Sequence, residues 1–252
     1  MKNTNQCLIL AAGNGTRLRS VSSGLPKPLV QLRGKPILEH VIEAAHQAGV
    51  DNFVIVVGYR SDLIRSSLND RLAGEISVTW VENPDYHKSN GISALAAQNK
   101  IHGNFLLLMA DHIFEADTAK ALIHQRLGHD EVILAVDPHI DRIFDLDDAT
   151  KVRRDSEHIV EIGKEISRYD SLDTGMFLCT PALFDRLESA TVNGDCSLSD
   201  GMRLLARDRK LRAFEIDSDW QDLDTPEALA HAEGTFDWYL QREPNVERLA
   251  GV

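Results

Sequence analysis

From Leu10 to Leu29 the chain reads LAAGNGTRLRSVSSGLPKPL, a bend with two glycines followed by cations. Gly13 and Gly15 carry no β-carbon and tolerate positive φ, so backbone N–H groups there can converge on an anion at close range. Arg17, Arg19 and Lys27 follow. The first 38 residues hold six basic side chains and no Asp or Glu, in a chain of net charge −12, so a polyanion is drawn to this end. Two distant carboxylates suit a different task. Asp111 follows the most apolar run, Phe105 to Met109, and Asp222 lies in Trp220-Gln-Asp-Leu-Asp-Thr. Magnesium takes one or two carboxylates together with phosphate oxygens and water, which makes this pair its candidate ligands. Each also has a plainer reading: a helix cap for Asp111, a turn residue for Asp222, and for Asp224 a cap ahead of Thr225-Pro226.

The elements that must position these residues follow from patterning. Cys7 to Ala11 is a short apolar run that suits a strand buried on both faces. Pro36 opens a helical pattern that stops at Gly49, and a second buried strand runs from Phe53 to Val57. A helix over Leu63 to Leu72, a strand over Ile76 to Val81 and a polar loop, Glu82 to Ser93, come next, then a helix from Ile92 to Lys100. The run at Phe105 to Met109 delivers Asp111 to the same sheet edge. Further on, the pattern predicts a helix over Ala116 to Leu127, strands at Val132 to Val136, Leu172 to Cys179 and Leu211 to Ile216, and helices at Pro181 to Ser189 and Leu198 to Arg207. Trp220 to Thr225 reads as a loop and Pro226 to Leu240 as a closing helix. Alternating strands and helices imply an α/β fold: a Rossmann-like mixed, mostly parallel sheet flanked by helices. The expected organisation is a single domain over residues 1–242, with a small α+β acceptor-side subdomain at about 137–173 that begins with an aspartate-rich stretch, and a loose tail over 243–252.

Composition narrows the class. At 252 residues, 43% hydrophobic and 26% charged, the chain suits one globular domain, without disorder or fibrous repeats. No apolar stretch approaches the length of a membrane span and the N-terminus lacks a signal peptide's core, so a cytoplasmic protein is expected. Cys7, Cys179 and Cys196 are widely spaced without CxxC, which fits small core residues in a reducing compartment. The acidic balance argues against a nucleic-acid partner.

Two familiar glycine loops do not fit. The dinucleotide fingerprint wants a third glycine where Leu18 stands, and the P-loop's Gly-Lys-Ser/Thr is absent. The pattern Leu10-Ala-Ala-Gly-x-Gly-Thr-Arg-Leu followed by Pro26-Lys-Pro-Leu instead resembles the signature of nucleotidyltransferases that join a nucleoside monophosphate to a sugar phosphate or related phosphate. With Asn90-Gly91-Ile-Ser93, Asp111-His112, Asp147-Asp-Ala-Thr-Lys151, Ile162-Gly-Lys164, Asp173-Thr-Gly175, Leu198-Ser199 and Trp220-x-Asp222-x-Asp-Thr225, the resemblance extends over nearly the whole chain, to the CTP:inositol-1-phosphate cytidylyltransferases.

That resemblance implies CMP transfer from CTP to a small phosphorylated acceptor, with Mg2+ and release of pyrophosphate. It implies nucleotide contacts at Leu10, Ala11, Ala12, Gly13, Gly15, Thr16, Arg17, Lys27, Asn90, Gly91 and Ser93, and catalytic roles for Arg17, Lys27 and Asp111. Acceptor contacts fall at His112, Lys164, Asp173, Thr174 and Gly175, and metal ligands at Asp111 and Asp222. Read alone, His112 is equally a structural histidine and Lys164 a surface lysine. Inositol 1-phosphate heads the acceptors, with phosphocholine, small phosphonates and sugar 1-phosphates with UTP or dTTP as alternatives; a homodimer is left open. A nucleotide-binding regulatory protein would not need both carboxylates, and a nucleotide-sugar glycosyltransferase would carry Asp-x-Asp where this chain has Asp111-His-Ile.

Overall fold

Cys7, Ile9 and Ala11 join one hydrophobic core while Leu8, Leu10 and Ala12 join another, the two-residue alternation of a strand covered on both faces. This strand is β1 (Gln6–Ala11) of a computed structural model that describes residues 4–235, apart from positions 19, 70, 73 and 75. Arg19, the end of the expected closing helix and the expected loose tail lie outside the described residues. A small hairpin, β2 (Gln31–Leu32) and β3 (Lys35–Pro36), precedes α1 (Ile37–Gln47), β4 (Asn52–Val57), α2 (Ser61–Asn69) and β5 (Ser77–Glu82). Then come α3 (Asn90–Ala96), β6 (Phe105–Met109), β7 (His112–Phe114), α4 (Ala116–Ile123) and β8 (Val132–Asp137). The second half holds β9 (Lys151–Asp155), β10 (His158–Gly163), β11 (Ser171–Cys179), α5 (Ala182–Ala190), α6 (Leu198–Arg207), β12 (Leu211–Glu215), β13 (Trp220–Asp222) and α7 (Pro226–Thr235).

Nine of these strands form one sheet in the order β5-β4-β1-β6-β11-β8-β12-β10-β9, with β9 also paired to β11. β11 and β10 run against the rest, so the sheet is mixed and mostly parallel. Leu10 pairs with Met109, so the segments after β1 and β6 leave the same carboxyl edge side by side. The chain steps from β1 outward to β4 and β5, then returns to place β6 on the other side. Ligands gather at such a reversal. The residues after Asp137 are sewn into the sheet through β9 and β10 rather than hung from it.

The helices sit close to where periodicity puts them, and α6 keeps its expected bounds under a capping box between Ser197 and Asp200. Three local expectations change. Asn90 and Gly91 belong to the first turn of α3 and not to the preceding loop. Trp220–Asp222 is a strand and not a loop, paired antiparallel with β7. Both β7 and β13 are three residues long, too short for alternation to register. Finally, Thr225 and not Asp224 caps α7, its hydroxyl accepting from the Ala228 amide at 3.1 Å.

Candidate active site

The glycine bend and the lysine beyond it are fitted to each other. Gly15 takes φ +56°, and a β-carbon there would lie 2.5 Å from Cβ of Lys27. Only glycine lets the lysine stem pass. Gly13 does not need positive φ, and the space where its β-carbon would stand is open. Lys27 opens a 3-10 turn between Pro26 and Pro28, with its side chain only 10% exposed. Its Nζ lies 2.5 Å from Asp111 Oδ2 and 3.9 Å from Asp222 Oδ1, and it also pairs with Asp224. Burial alone would lower its pKa; the charges of Asp111, Asp222 and Asp224 overcome this and hold it well above the ordinary value. Arg17 pairs with Asp224 and places Nη1 2.6 Å from Asp148 Oδ2. The cations of the basic loop are thus met by acids brought from the far end of the chain.

The β7–β13 ribbon does the bringing. Its register sets Asp222 opposite His112, and Leu223 donates its amide to the Asp111 carbonyl at 2.9 Å. A third hydrophobic cluster lies beneath: Leu18 and Val30 from the loop, Ile113 from β7, Leu223, and Ala232 from α7. His112 Nδ1 is 2.9 Å from Asp111 Oδ1 and 3.8 Å from Asp222 Oδ1. Its ring stacks on Trp220 at 5.9 Å, and Trp220 Nε1 donates to Asp137 Oδ2 at 2.9 Å. Burial opposes the imidazolium, but the Asp222 charge and the Asp111 hydrogen bond push its pKa up to about 9. Asp111 is held low, Lys27 and His112 outweighing burial, whereas burial and the Asp111 charge push Asp222 up to about 7.

The carboxylates gathered here fit a hard divalent cation. Ligand atoms of Asp111, His112 and Asp222 lie within 4.8 Å of one another, as do those of Asp148, Asp222 and Asp224. Asp222 Oδ1 is shielded from solvent and has no hydrogen-bond partner. Such an atom is costly unless a cation meets it.

Two clefts meet here. One of about 230 Å³ is walled by the glycine bend, Arg17 and Lys27; the other, of about 270 Å³, by the 142–150 segment, Lys164, Asp173 and the start of α6. Asp111 and Asp224 belong to both. A model of the MobA-like NTP transferase domain matches residues 7–210. The chain belongs to the MobA-like NTP transferase family.

It is a nucleotidyltransferase, and its relatives fall on both sides of one question. The chain is 35% identical over 228 residues to the bifunctional IPC transferase and DIPP synthase of Rubrobacter xylanophilus, covering 89% of this chain and 50% of that protein. It spans about half the length of the curated relatives of that name. It is also 30% identical to the UTP–glucose-1-phosphate uridylyltransferase of Haloferax volcanii, covering 90% of this chain and 95% of that one. Among solved structures, the inositol-1-phosphate CTP transferase of T. maritima superposes with a TM-score of 0.85 at 25% identity, covering 96% of this chain and 98% of the other.

The residues expected of this NTP transferase are distributed unevenly. Leu10, Ala11, Gly13, Gly15, Thr16, Arg17 and Lys27 line the smaller cleft, while Ala12 is buried beside it. Asn90, His112, Lys164, Asp173 and Gly175 line the larger one, with Asp222 at its floor. Gly91, Ser93 and Thr174 line neither. Gly91 packs on the Cys196–Ser197 turn, Ser93 accepts from buried Asn83 at 3.0 Å, and Thr174 donates to the Ala135 carbonyl at 2.8 Å. Asp148, Phe144, His231 and Gln221 line the larger cleft without having stood out in the sequence. Asp148 had the one available signal, its place in the Asp147-Asp-Ala-Thr-Lys151 motif.

Gly175 is the position of the larger cleft where glycine is required. It takes φ +74°, and a β-carbon would lie 2.6 Å from His112 Cδ2. Gly175→Ala is expected to cost about 2 kcal/mol of stability and to displace His112. Denaturant unfolding checks the first effect; an unchanged midpoint would show that the backbone relaxes.

Proposed function

We propose that this enzyme transfers CMP from CTP to inositol 1-phosphate and releases pyrophosphate, with Mg2+ bound at Asp111 and Asp222. The observation that carries the reading is the shared wall of the two clefts. A nucleotide held by the glycine bend and a phosphorylated acceptor held beside Lys164 meet across Asp111 and Asp224, both of them paired with Lys27. The choice of CTP and inositol 1-phosphate is supported by the R. xylanophilus relative and the T. maritima structure.

The acceptor's phosphate oxygen attacks the α-phosphorus and pyrophosphate leaves. Because the nucleophile is already anionic, the protein needs little acid–base chemistry, and its work is to align two polyanions and balance the charge between them. Backbone amides of the glycine bend and Arg17 hold the triphosphate, and the buried Lys27 ammonium stands where charge gathers. Lys164 takes the acceptor's phosphate, and the carboxylate of Asp173, beside it in the cleft, accepts from a ring hydroxyl. His112 holds Asp111 in orientation. When bound, Mg2+ neutralises phosphate oxygens and polarises the α-phosphoryl group. The three cysteines are buried and unpaired, which suits a cytoplasmic enzyme.

A second reading is supported by the H. volcanii relative, matched along nearly its full length: uridylyl transfer to a sugar 1-phosphate. One matrix decides between them. CTP, UTP, dTTP, ATP and GTP are each paired with inositol 1-phosphate, phosphocholine, aminoethylphosphonate and hexose 1-phosphates, and pyrophosphate release is scored. The expected maximum is CTP with inositol 1-phosphate; a maximum with UTP and glucose 1-phosphate overturns the first reading in favour of the second. Release of a nucleoside diphosphate in place of pyrophosphate sinks both.

A further inference from the structure

Asp148 has no part in the chemistry above, yet its carboxylate joins the two clefts. Its Oδ2 lies 2.6 Å from Arg17 in the nucleotide loop, and its Oδ1 lies 2.5 Å from Lys164 in the acceptor cleft. One singly charged side chain therefore engages a cation assigned to each substrate, Arg17 being paired with Asp224 as well. The three groups are accessible: side chains of Asp148, Arg17 and Lys164 are 30%, 48% and 50% exposed, against 10% for Lys27. Ion pairs open to water exchange partners at small cost, whereas the buried pairs of Lys27 do not.

The backbone carrying Asp148 can follow such an exchange. Between β8 and β9 the chain has no regular element beyond the short 3-10 turn Ile140–Arg142. Its tip is held by Phe144, which stacks on His231 of α7 at 4.7 Å, and the Asp148 amide makes only a long contact of 3.4 Å to Asp145.

We propose that Asp148 couples the two substrate sites: it holds Arg17 and Lys164 together until a triphosphate takes Arg17, and its release then frees Lys164 for the acceptor's phosphate. The inference rests on the assignment of Arg17 to the nucleotide and Lys164 to the acceptor. A triphosphate carries several charges against the two carboxylates, Asp148 and Asp224, that hold Arg17, so it wins the guanidinium. Asp148 then faces a polyanion at Arg17, and that repulsion, acting on an exposed pair, drives the carboxylate off Lys164. By reciprocity each substrate strengthens binding of the other, and the carboxylate is the positioning group that links them.

Calorimetric titration of inorganic phosphate into the full chain, with Mg2+ throughout, tests this. The proteins are wild type and Asp148→Asn, each with and without saturating CTP, and Asp148→Ala repeats the comparison with no acceptor atom at that position. Without CTP, phosphate is expected to bind both variants about fivefold or more tightly than wild type. CTP should raise the wild-type affinity to that of the variants and leave the variants unmoved. In turnover, the acceptor KM is lower in the variants than in wild type at subsaturating CTP and equal to it at saturating CTP, while kcat does not rise. Equal phosphate affinity in all three proteins overturns the proposal, as does a CTP effect that survives in the variants. So does a raised Mg2+ requirement with unaltered phosphate affinity, which would make Asp148 a metal ligand instead. Should CTP bind none of the proteins, the nucleotide assignment fails while the CTP-free comparison still decides the role of Asp148.

Discussion

Replacing Lys27 with methionine is expected to lower turnover by about 10³-fold, because an ammonium fixed where charge develops is the kind of group whose loss costs that much. The same substitution should destabilise the fold. Lys27 lies among Asp111, Asp222 and Asp224, and removing the cation leaves carboxylates facing one another in a site where the lysine is only 10% exposed. Breaking a buried ion cluster in this way costs about 3 to 5 kcal/mol. The two effects separate by experiment. If Asp111 and Asp222 bind a divalent cation, Mg2+ should restore much of the lost thermal stability of Lys27→Met without restoring turnover. A variant that keeps most of the wild-type rate would refute the catalytic role; one whose melting temperature is the same with chelator and with Mg2+ would refute the cation site.

Asp111→Asn is the second large effect, and its logic differs. The amide keeps the size of the carboxylate, so packing beneath it is preserved. It removes the charge 2.5 Å from Lys27 and leaves a single accepting oxygen where two served Lys27 and His112 Nδ1. Turnover should again fall by about 10³-fold, and the Mg2+ concentration needed for half-maximal rate should rise, since one of two hard ligands has become neutral. Single-turnover rates measured across a Mg2+ series check both. A rate loss with no change in the Mg2+ requirement would leave Asp111 as a partner for Lys27 alone and assign the cation to Asp148, Asp222 and Asp224.

The loop from Leu10 to Leu29 shows how far composition and spacing reach. Its glycines and cations are local facts, and a short continuous apolar run places a strand directly before it. Helices such as α1 and α6 were legible for the same reason, since their faces repeat over several turns. Asp224 was misread because a carboxylate before Thr225-Pro226 has a local use as a cap. Its actual partners, Arg17 and Lys27, lie about two hundred residues away, beyond any local pattern. The β7–β13 ribbon was missed because three residues give alternation no room, and its pairing is decided by a partner strand with no sequence proximity.

What the sequence determined by itself is the class of chemistry: a glycine bend that admits phosphates, cations placed after it, two carboxylates suited to a hard cation, and an α/β frame that sets strand ends along one edge. Each rests on residue type and short-range geometry. Tertiary structure alone decided that the basic loop is balanced by four aspartates, that Asp222 stands opposite His112, and that Asp148 spans the two clefts. Those facts depend on which segments pack on the Leu18, Val30, Ile113, Leu223 and Ala232 cluster, and burial of apolar surface, being non-directional, leaves no mark of its partner in the local sequence.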